Sequence, residues 1–389
     1  MSPDSEKPAA RDLETIDHFF DNWCNLPWTE WVPFNATKQV FTKIPQEPGI
    51  YRIRPVGKEC LVYIGETKRS LRERLHNLII ELAKAEGMPW SDPHTEAPAL
   101  WAWRTEWLSN HEVEKNPKNS MSSERSSDIV DDKSQQDSMS SDRSSDIVDD
   151  KSQQDSMSSE GPSGREDEKN SKNSSSGEGL ADHTEEALLP VDPHGFECSA
   201  APLDASDSGR RAMESFLLYR YRQENGESPL CSLGRFHPRY RRSTTRKEGV
   251  RGARLAEGQK DNPAGRPGHP PLRPSGTPGD RDWMGLAWSE HETLTEEKLR
   301  NVPRSPGLYL LLGAGQVISI GGVGDCAARL NGQAGRSWEG MVPQFSYHVL
   351  DEPIPPHQLR ELETDLIGNF YEQFRKAPEL QFRSSSHRP

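Results

Sequence analysis

The sequence has little apolar material and no apolar run long enough to cross a membrane. Only 32% of its 389 residues are hydrophobic, and its mean hydropathy is −0.88. A membrane-spanning helix needs roughly 18 or more consecutive apolar residues, so we expect no membrane span. A single core over the whole length is excluded as well, and the composition predicts two or three domains with a large disordered part.

Cysteine is also scarce, and no two cysteines have the spacing of a redox or zinc motif. Their number is odd, which is untypical of a secreted disulfide scaffold and favours a reducing compartment. The first residues lack the basic and apolar segments of a signal peptide, so we expect a cytoplasmic protein. The five cysteines are Cys24, Cys60, Cys198, Cys231 and Cys326.

Positive charge is deficient overall, because the net charge is −13, but the acidic excess is confined to one stretch. Residues 109–208 contain 24 acidic and nine basic side chains, so the rest of the chain is close to neutral. Within this stretch Met121–Ser138 repeats as Met139–Ser156, and the copies differ only at Glu124 and Asp142. A repeat of Ser, Asp, Gln and Lys buries no core, so 109–208 is predicted to be a disordered acidic insertion.

One short segment, which we call the basic strip, has the opposite charge. Residues 235–254 hold eight arginines and lysines against the single acid Glu248. A strip of this kind beside a folded domain attracts phosphate groups, and the alternative is a solvated loop without a partner. We expect four residues of the strip to contact nucleic acid, with DNA as the expected partner. They are Arg241, Arg242, Arg246 and Lys247.

Two β-rich runs and a helical pattern follow one another in residues 49–82. The tripeptide Gly-Ile-Tyr at 49–51 begins the first run, Tyr-Ile-Gly at 63–65 ends the second, and a turn separates them. Val, Ile and Tyr around such a turn predict a β-hairpin. Ser70 and Glu73 have the spacing of a capping box, and apolar residues then recur at helical spacing. The stretch therefore predicts strand, turn, strand and helix in immediate succession.

These motifs resemble the GIY-YIG nuclease family. Both tripeptides stand unaltered at roughly the family's separation, and a capped helix follows them. The resemblance implies a small α/β fold, hydrolysis of phosphodiester bonds and a divalent metal ion, Mg²⁺ or Mn²⁺. It also implies an arginine on the first turns of the helix, for which Arg74 fits and Arg72 is a competitor.

The resemblance also implies catalytic roles for four residues. Tyr51 or Tyr63 would take the proton of the attacking water, Arg74 would bind phosphate oxygens, and Glu214 would hold the metal. The planar fork of a guanidinium suits phosphate. The ordinary pKa of tyrosine is about 10, so neighbouring groups must lower it or accept the proton in turn.

Two positions depart from the family pattern. Many members have a lysine directly after the second tripeptide, where this chain has Glu66, and Lys68 is the nearest substitute. Glu214 and Pro229 match the glutamate and proline of a later helix, but the expected asparagine is Ser232. These departures favour the alternative of a binding protein with a decayed site.

Several aromatic and histidine residues have a structural interpretation beside a functional one. Tryptophans at 101, 103 and 107 occupy alternate positions and predict a third strand with one buried face. We interpret them as core rather than as a platform for stacked bases. His76 and His94 are candidate proton shuttles, with a structural or solvent-exposed histidine as the alternative.

The pattern around the first tripeptide recurs near the end of the chain, at 302–309. Arg329 and Glu363 stand where the first half has its arginine and glutamate, and Tyr309 ends the recurring pattern. The second tyrosine and the asparagine are replaced by Ser319 and Gln381. We therefore predict an internal duplication whose second copy is degenerate.

The sequence thus predicts two α/β units, each a small antiparallel sheet flanked by helices. The first unit would be a metal-dependent endonuclease, and the second would support it or bind nucleic acid. The alternative is a non-catalytic nucleic-acid-binding or scaffold protein. The predicted ranges are a tail at 1–20, the first unit at 21–257 with the insertion at 109–208, a Pro/Gly linker at 258–282, the second unit at 283–382 and a tail at 383–389.

Overall fold

The computed structural model describes residues 18–84, 87–115, 195–338 and 340–382, and these form a mixed α/β structure. Residues 116–194, which make up most of the predicted insertion, lie outside this range. The predicted tail at 383–389 also lies outside it, and of the predicted tail at 1–20 only residues 18–20 are described. Two four-stranded antiparallel sheets organise the described part, as the predicted fold class requires. Among the described helices, none combines the length and apolar character that crossing a bilayer demands.

The first sheet has the strand order β1-β4-β2-β3, so β3 lies at an edge. The helices α2 and α3 pack on one face, where they share a core with Tyr51 and Ile53, and α4 packs on the other face beside Ile50 and Ile64. The elements of this half are β1 (Val32–Pro33), α1 (Lys38–Phe41), β2 (Gly49–Pro55), β3 (Tyr63–Thr67), α2 (Leu71–Ala83), α3 (Ala97–Lys115), β4 (Phe196–Pro202) and α4 (Asp207–Asn225).

A short hairpin and the segment that leads to the second half follow α4. This half has the order β7-β10-β8-β9, which is the order of the first sheet repeated with equivalent strands. The remaining elements are β5 (Tyr240–Arg241), β6 (Ala253–Arg254), β7 (Glu292–Thr293), α5 (Glu296–Leu299), β8 (Gly307–Gly313), β9 (Gln316–Val323), α6 (Cys326–Ala334), β10 (Gln344–Val349) and α7 (Pro356–Phe374).

Equivalent side-chain contacts accompany the equivalent sheets. Trp28 Nε1 donates a hydrogen bond to the carbonyl of Trp23 at 3.0 Å, and Trp288 Nε1 donates to the carbonyl of Trp283 at 3.1 Å. Each of these tryptophan pairs precedes its sheet and packs in a buried cluster. The repeated sequence pattern therefore corresponds to a repeated structure.

A buried arginine joins the two halves through the helices α4 and α7. Arg222 Nε donates to Asp365 Oδ1 at 2.8 Å, and its Nη1 lies 3.5 Å from Glu361 Oε1. All three side chains are inaccessible to solvent. Gly368 permits the close approach of the helices, because a Cβ there would collide with Tyr219. Removing one partner of such a buried pair typically costs about 3–5 kcal/mol, so the two halves form one interdependent unit.

Several local predictions are confirmed. Ser70 Oγ accepts a hydrogen bond from the N–H of Glu73 at 3.2 Å, so α2 begins at the predicted cap. A second local signal is also visible in the structure, where α4 ends at Asn225 and Gly226 takes the left-handed conformation typical of a glycine that terminates a helix. The hairpin of β2 and β3 pairs Tyr51 with Gly65.

The predicted third strand at 101–107 is wrong, because these residues belong to the helix α3. The three tryptophans face packed partners from the helix. Trp103 lies 4.5 Å from the ring of His237, and Trp107 lies 6.1 Å from the ring of Phe196. Alternation was a poor guide because tertiary contacts, rather than a strand face, bury these rings. Their interpretation as packing residues is confirmed.

The true third strand lies inside the range assigned to the insertion. Phe196–Pro202 forms β4 and pairs along its whole length with β2, so it is a central strand. Its run Cys-Ser-Ala-Ala is short and weakly apolar, and this hid it among the acidic residues. The helix α3 likewise extends to Lys115, past the predicted start of the insertion. Residues 116–194 lie outside the described part of the chain.

A deletion series tests the corrected boundaries. Replacing 118–192 with a Gly/Ser loop of about 15 residues, which spans roughly 20 Å, should leave the melting temperature nearly unchanged. The free-energy cost of closing a loop changes by only about 0.6 kcal/mol for each doubling of the loop's length. A second deletion that covers 112–206 removes β4 as well and should abolish cooperative thermal unfolding. Equal melting temperatures for both deletions would contradict the central position of β4.

Candidate active site

Two tyrosines meet over a glycine at the β3 edge of the first sheet. Tyr51 on β2 pairs with Gly65 on β3, and Tyr63 lies two residues before Gly65, so both rings share one face. The ring centroids are 5.9 Å apart. A Cβ at Gly65 would lie 2.9 Å from Tyr51 Oη and closer still to Tyr63. The glycine of the second tripeptide is therefore required by the packing of both tyrosines.

The two arginines of α2 have different roles. Arg72 donates to the backbone carbonyls of Ile44 at 2.8 Å and Thr42 at 2.7 Å, so it anchors the preceding turn. Arg74 donates from Nε to Tyr51 Oη at 3.3 Å. The structure therefore places Arg74, and not Arg72, beside the tyrosine pair.

A buried glutamate that the sequence did not single out completes this cluster. Tyr51 Oη donates to Glu96 Oε1 at 2.9 Å, and Arg74 Nη2 donates to both carboxylate oxygens, at 2.9 and 3.1 Å. The side chain of Glu96 is fully buried. His94 is buried next to it, with Nδ1 3.7 Å from Oε1. Because α3 was predicted as a strand, nothing in the sequence pattern placed Glu96 near α2.

The acidic neighbourhood keeps the tyrosines protonated. Burial alone would raise the pKa of Glu96, but His94 and Arg74 lower it to about 2, so Glu96 is ionised at neutral pH. Burial, followed by the charge of Glu96, raises the pKa of Tyr51 and of Tyr63 well above the ordinary value near 10. Because the pKa of Tyr51 is raised and that of Glu96 is lowered, the proton stays on Tyr51 and does not move to Glu96. Glu96 thus orients Tyr51 and does not accept its proton.

The guanidinium of Arg74 has little capacity left for a ligand. Of its five N–H groups, one is used by Tyr51, two by Glu96 and one by the carbonyl of Pro93 at 3.2 Å. Its charge is balanced by the buried carboxylate. In this conformation Arg74 offers one N–H to a phosphate and not the two-pronged contact that the resemblance implies.

A second glutamate, Glu214, approaches the same edge strand from α4. No hydrogen bond or ion pair of its carboxylate occurs among the described residues. Burial, and next the charge of Glu66, raise the pKa of Glu214 to about 8, and Arg74 and Glu96 also act on it. Although the residue keeps some solvent exposure, its carboxyl group is thus poorly stabilised as an anion. The four residues of the resemblance therefore converge on one region.

Glu66 lies close to Glu214 but is partly balanced by arginines. Its Oε2 lies 3.5 Å from Arg210 Nε and its Oε1 lies 4.0 Å from Arg211 Nε. Burial nevertheless raises the pKa of Glu66. The substitute Lys68 is exposed to solvent. The charge that follows the second tripeptide is therefore negative, opposite to that of the family pattern.

A divalent cation fits Glu214. Among the described residues, no three His, Cys, Asp or Glu side chains converge in a cage for a metal. Mg²⁺, however, commonly uses one or two carboxylates and retains several waters. An unpaired carboxylate whose pKa is raised, beside a second acid, is a suitable ligand because a cation relieves both the burial and the repulsion.

The serine that replaces the expected asparagine still supports β3. Ser232 Oγ accepts a hydrogen bond from the N–H of Ile64 at 3.3 Å. In the second half Gln381 holds the equivalent strand with two bonds, accepting from the N–H of Ile320 at 2.8 Å and donating to its carbonyl at 3.0 Å. The shorter serine therefore retains one of the two contacts made by its longer counterpart.

The second half keeps part of the arrangement. Tyr309 packs over Gly321 as Tyr51 does over Gly65, and burial raises its pKa. Burial raises the pKa of Glu363 to about 7, with Arg329 as a neighbouring charge. Ser319 takes the position of the second tyrosine. The half therefore lacks the tyrosine pair but retains a buried glutamate.

The basic strip is only partly available to a ligand. Arg246 contacts Glu81 at 3.2 Å and Asp92 at 3.7 Å, and Arg242 is half-buried over the ring of Phe236. Other arginines of the strip pair with acids or carbonyls of neighbouring loops. Of the four predicted contact residues, those whose side chains are exposed and outside ion pairs are Arg241 and Lys247.

The two candidate shuttle histidines are separated. His76 is exposed on α2, with its ring 6.1 Å from that of Phe41, and it makes no described contact with the tyrosines. His94 is buried beside Glu96, where solvent does not reach it. The geometry thus favours a structural role for His94 and a solvent-exposed position without catalytic contacts for His76.

Neutralising Glu96 should destabilise the protein at neutral pH. Glu96→Gln leaves Arg74 buried without its counter-charge, so we expect a loss of about 2–4 kcal/mol in the free energy of unfolding at pH 7. Because the folded-state pKa of Glu96 is depressed to about 2, its stabilisation is present above pH 4.5 and disappears as the pH falls towards 2. Urea unfolding at pH 7 and pH 2.5 measures both effects. Glu30→Gln, at an exposed ion pair, is the control and should change little.

Glu214→Gln should have the opposite effect on stability. The folded-state pKa of Glu214 is raised to about 8, so wild-type stability decreases as the pH rises from about 4.5 through 8. The variant should therefore match wild type at pH 4.5 and exceed it by roughly 1–3 kcal/mol at pH 9, a value reduced for residual solvent exposure. Mg²⁺ should raise the melting temperature of wild type at pH 8 but not that of the variant. Equal responses to Mg²⁺ would remove Glu214 as its ligand.

Comparisons with known proteins add no identification. Protein-family models, curated proteins and solved structures were compared with the chain, and none of the three comparisons finds a match. A function for this chain therefore rests on its own residues and on the geometry described above.

Proposed function

We propose that the first half is a metal-dependent endonuclease that hydrolyses phosphodiester bonds in nucleic acid, with DNA as the expected substrate. One observation carries this proposal. Tyr51, Tyr63, Arg74 and Glu214 come from four separate elements and converge at the edge of one sheet, around a glutamate with a pKa near 8. Structural packing alone gives no reason to place a half-buried carboxylate there without a hydrogen bond or ion pair, because such partial burial is costly.

The residues divide into supporting and reacting groups. Tyr51 is fully buried and bonded to Arg74 and Glu96, so it positions its neighbours and does not reach a substrate. Tyr63 is half-buried and presents the accessible ring of the pair. Arg74 contributes its remaining N–H to a phosphate oxygen. Glu214 would bind Mg²⁺ or Mn²⁺, which when bound supplies charge for the phosphate and the leaving oxygen.

The proton of the attacking water requires a relay. The pKa of Tyr63 lies well above 10, so an ionised Tyr63 is rare at neutral pH. Its hydroxyl can accept the proton of the water only if it releases its own proton at the same time. The exposed part of the side chain makes solvent the nearest acceptor. This arrangement orients the water well but gives a slow proton transfer near pH 7.

A second candidate function is a nucleic-acid-binding protein without catalysis. The observation that favours it is the neutralisation of Arg74 by a buried carboxylate, together with Glu66 in place of a cation. Both reduce the positive charge available for a scissile phosphate. The exposed Arg241 and Lys247 would supply sequence-independent affinity under either function.

Plasmid nicking separates the two functions. Wild type should convert supercoiled plasmid to the nicked form in Mg²⁺, and Glu214→Gln and Tyr63→Phe should each lose about 10²-fold or more. Glu363→Gln, from the half without the tyrosine pair, is the matched control and should cleave nearly as wild type does. A reversed pattern would assign the activity to the second half.

The pH profile adds a check that is independent of the variants. A metal competes with the proton on Glu214, so the acidic limb of the cleavage rate should move below pH 8 as the Mg²⁺ concentration rises. Wild type that is inert across metals, pH values and DNA structures, yet binds DNA, would favour the second candidate function.

A further inference from the structure

Two arginines from different halves of the chain meet at one loop, which we call the 232–236 loop. Arg242 Nη2 donates to the carbonyl of Arg235 at 3.2 Å. Arg360, on α7 of the second half, donates from Nη1 to the carbonyl of Leu233 at 3.3 Å. The same loop holds β3, since Ser232 bonds the backbone of Ile64. The loop thus connects both guanidinium groups to the strand that carries Tyr63.

The backbone of the loop has the shape that this meeting requires. Leu233 and Gly234 both have positive φ, 54° and 86°. A Cβ at position 234 would collide with the guanidinium of Arg360. A left-handed conformation at a leucine is unfavourable, and here it turns the carbonyl of Leu233 towards the second half. The loop is therefore shaped to receive a residue from the other half of the chain.

Neither arginine has an acidic partner within ion-pair distance among the described residues. This distinguishes them from Arg235, Arg239 and Arg254, which pair with acids at 2.8–3.0 Å. Arg242 is half-buried, with its guanidinium carbon 4.8 Å from the ring centre of Phe236. Burial, and also the charge of Arg360, lower the pKa of Arg242, while Tyr63 acts in the opposite direction. Two neighbouring cations repel each other unless an anion lies between them. Glu363 is the acid whose charge acts on Arg360, and it is only partly ionised at neutral pH because burial raises its pKa to about 7.

The candidate active site needs positive charge from elsewhere. It contains Glu66, Glu96 and Glu214, and the charge of Arg74 is already balanced. A nucleic-acid strand that enters this region would be repelled without additional cations. The 232–236 loop, which accepts hydrogen bonds from Arg242 and Arg360, is itself bonded to β3, the strand that carries Tyr63.

We propose that Arg242 and Arg360 together bind a phosphate of the nucleic-acid strand, adjacent to the phosphate that is cut beside Tyr63. The inference rests on the proposed function and adds that the second half of the chain contributes to the substrate site of the first. Guanidinium groups suit phosphate because they present several donors in one plane. The second half then has a direct role in binding, without a complete site of its own.

Salt-dependent binding tests this subsite. The background is Glu214→Gln without divalent ions, which prevents cleavage, and the probe is a dye-labelled DNA duplex read by fluorescence anisotropy between 50 and 200 mM salt. Arg360→Gln and Arg242→Gln should each weaken binding about 3- to 10-fold and reduce the slope of log affinity against log salt by about 0.9. The double variant should reduce the slope by about 1.8. Arg300→Gln, an exposed arginine of the second half, is the matched control and should behave as the background.

Folding of each variant is checked by its melting temperature. If Arg242→Gln loses structure because its packing on Phe236 is lost, Arg242→Lys keeps the charge and should restore most of the binding. Arg360 is exposed, so Arg360→Glu should fold and should weaken DNA binding more than Arg360→Gln does. Unchanged affinity and slope for Arg360→Glu would overturn the proposal.

The outcomes separate this inference from the proposed function. Wild-type cleavage together with unchanged DNA binding by the arginine variants would overturn the subsite and leave the nuclease. Lost DNA binding in the arginine variants, with wild type inert as a nuclease, would leave the subsite and overturn the nuclease. If Arg360→Glu abolishes binding of inorganic phosphate but not of DNA, the site takes a free anion and the proposal is wrong. Absence of any DNA binding by the Glu214→Gln background and by wild type would overturn both.

Discussion

The buried contact of Arg222 with Asp365 and Glu361 governs the arrangement of the described structure. It fixes α4 against α7 where no solvent reaches, so each half depends on the other for the satisfaction of its charges. The helix α4 carries Glu214, and α7 carries Glu363 and Arg360. Because this contact fixes α4 against α7, the second half of the chain helps to set the position of Glu214.

Buried charges that are paired with specific partners also limit the contacts that the candidate site can offer to a phosphate. Glu96 compensates Arg74 and orients Tyr51, and in doing so it consumes donors that a phosphate would otherwise use. Glu214, by contrast, is half-buried and has no hydrogen bond or ion pair among the described residues, and burial raises its pKa to about 8. The charges are thus balanced on the tyrosine side of the site and unbalanced at Glu214, where the proposed cation would act.

Sequence patterns predicted the local structure well where one strong period or cap dominated. The hairpin and the cap at Ser70 both follow from short-range rules. The tryptophans of α3 misled the interpretation because they are buried by loops distant in sequence, so their spacing carried no strand signal. The strand β4 was missed because a central strand of small residues resembles its acidic surroundings, and only its pairing with β2 identifies it.

The sequence by itself determined which residue types stand at the tripeptides, the repetition of the pattern in the second half and the acidic character of the long insertion. These are properties of neighbouring residues, and local propensity and composition are sufficient to read them. Only the tertiary structure decided between Arg72 and Arg74, brought Glu96 to Tyr51 and placed Arg360 beside the loop of the first half. Those contacts join residues that are 22 to 127 positions apart along the chain, and folding alone brings such residues together.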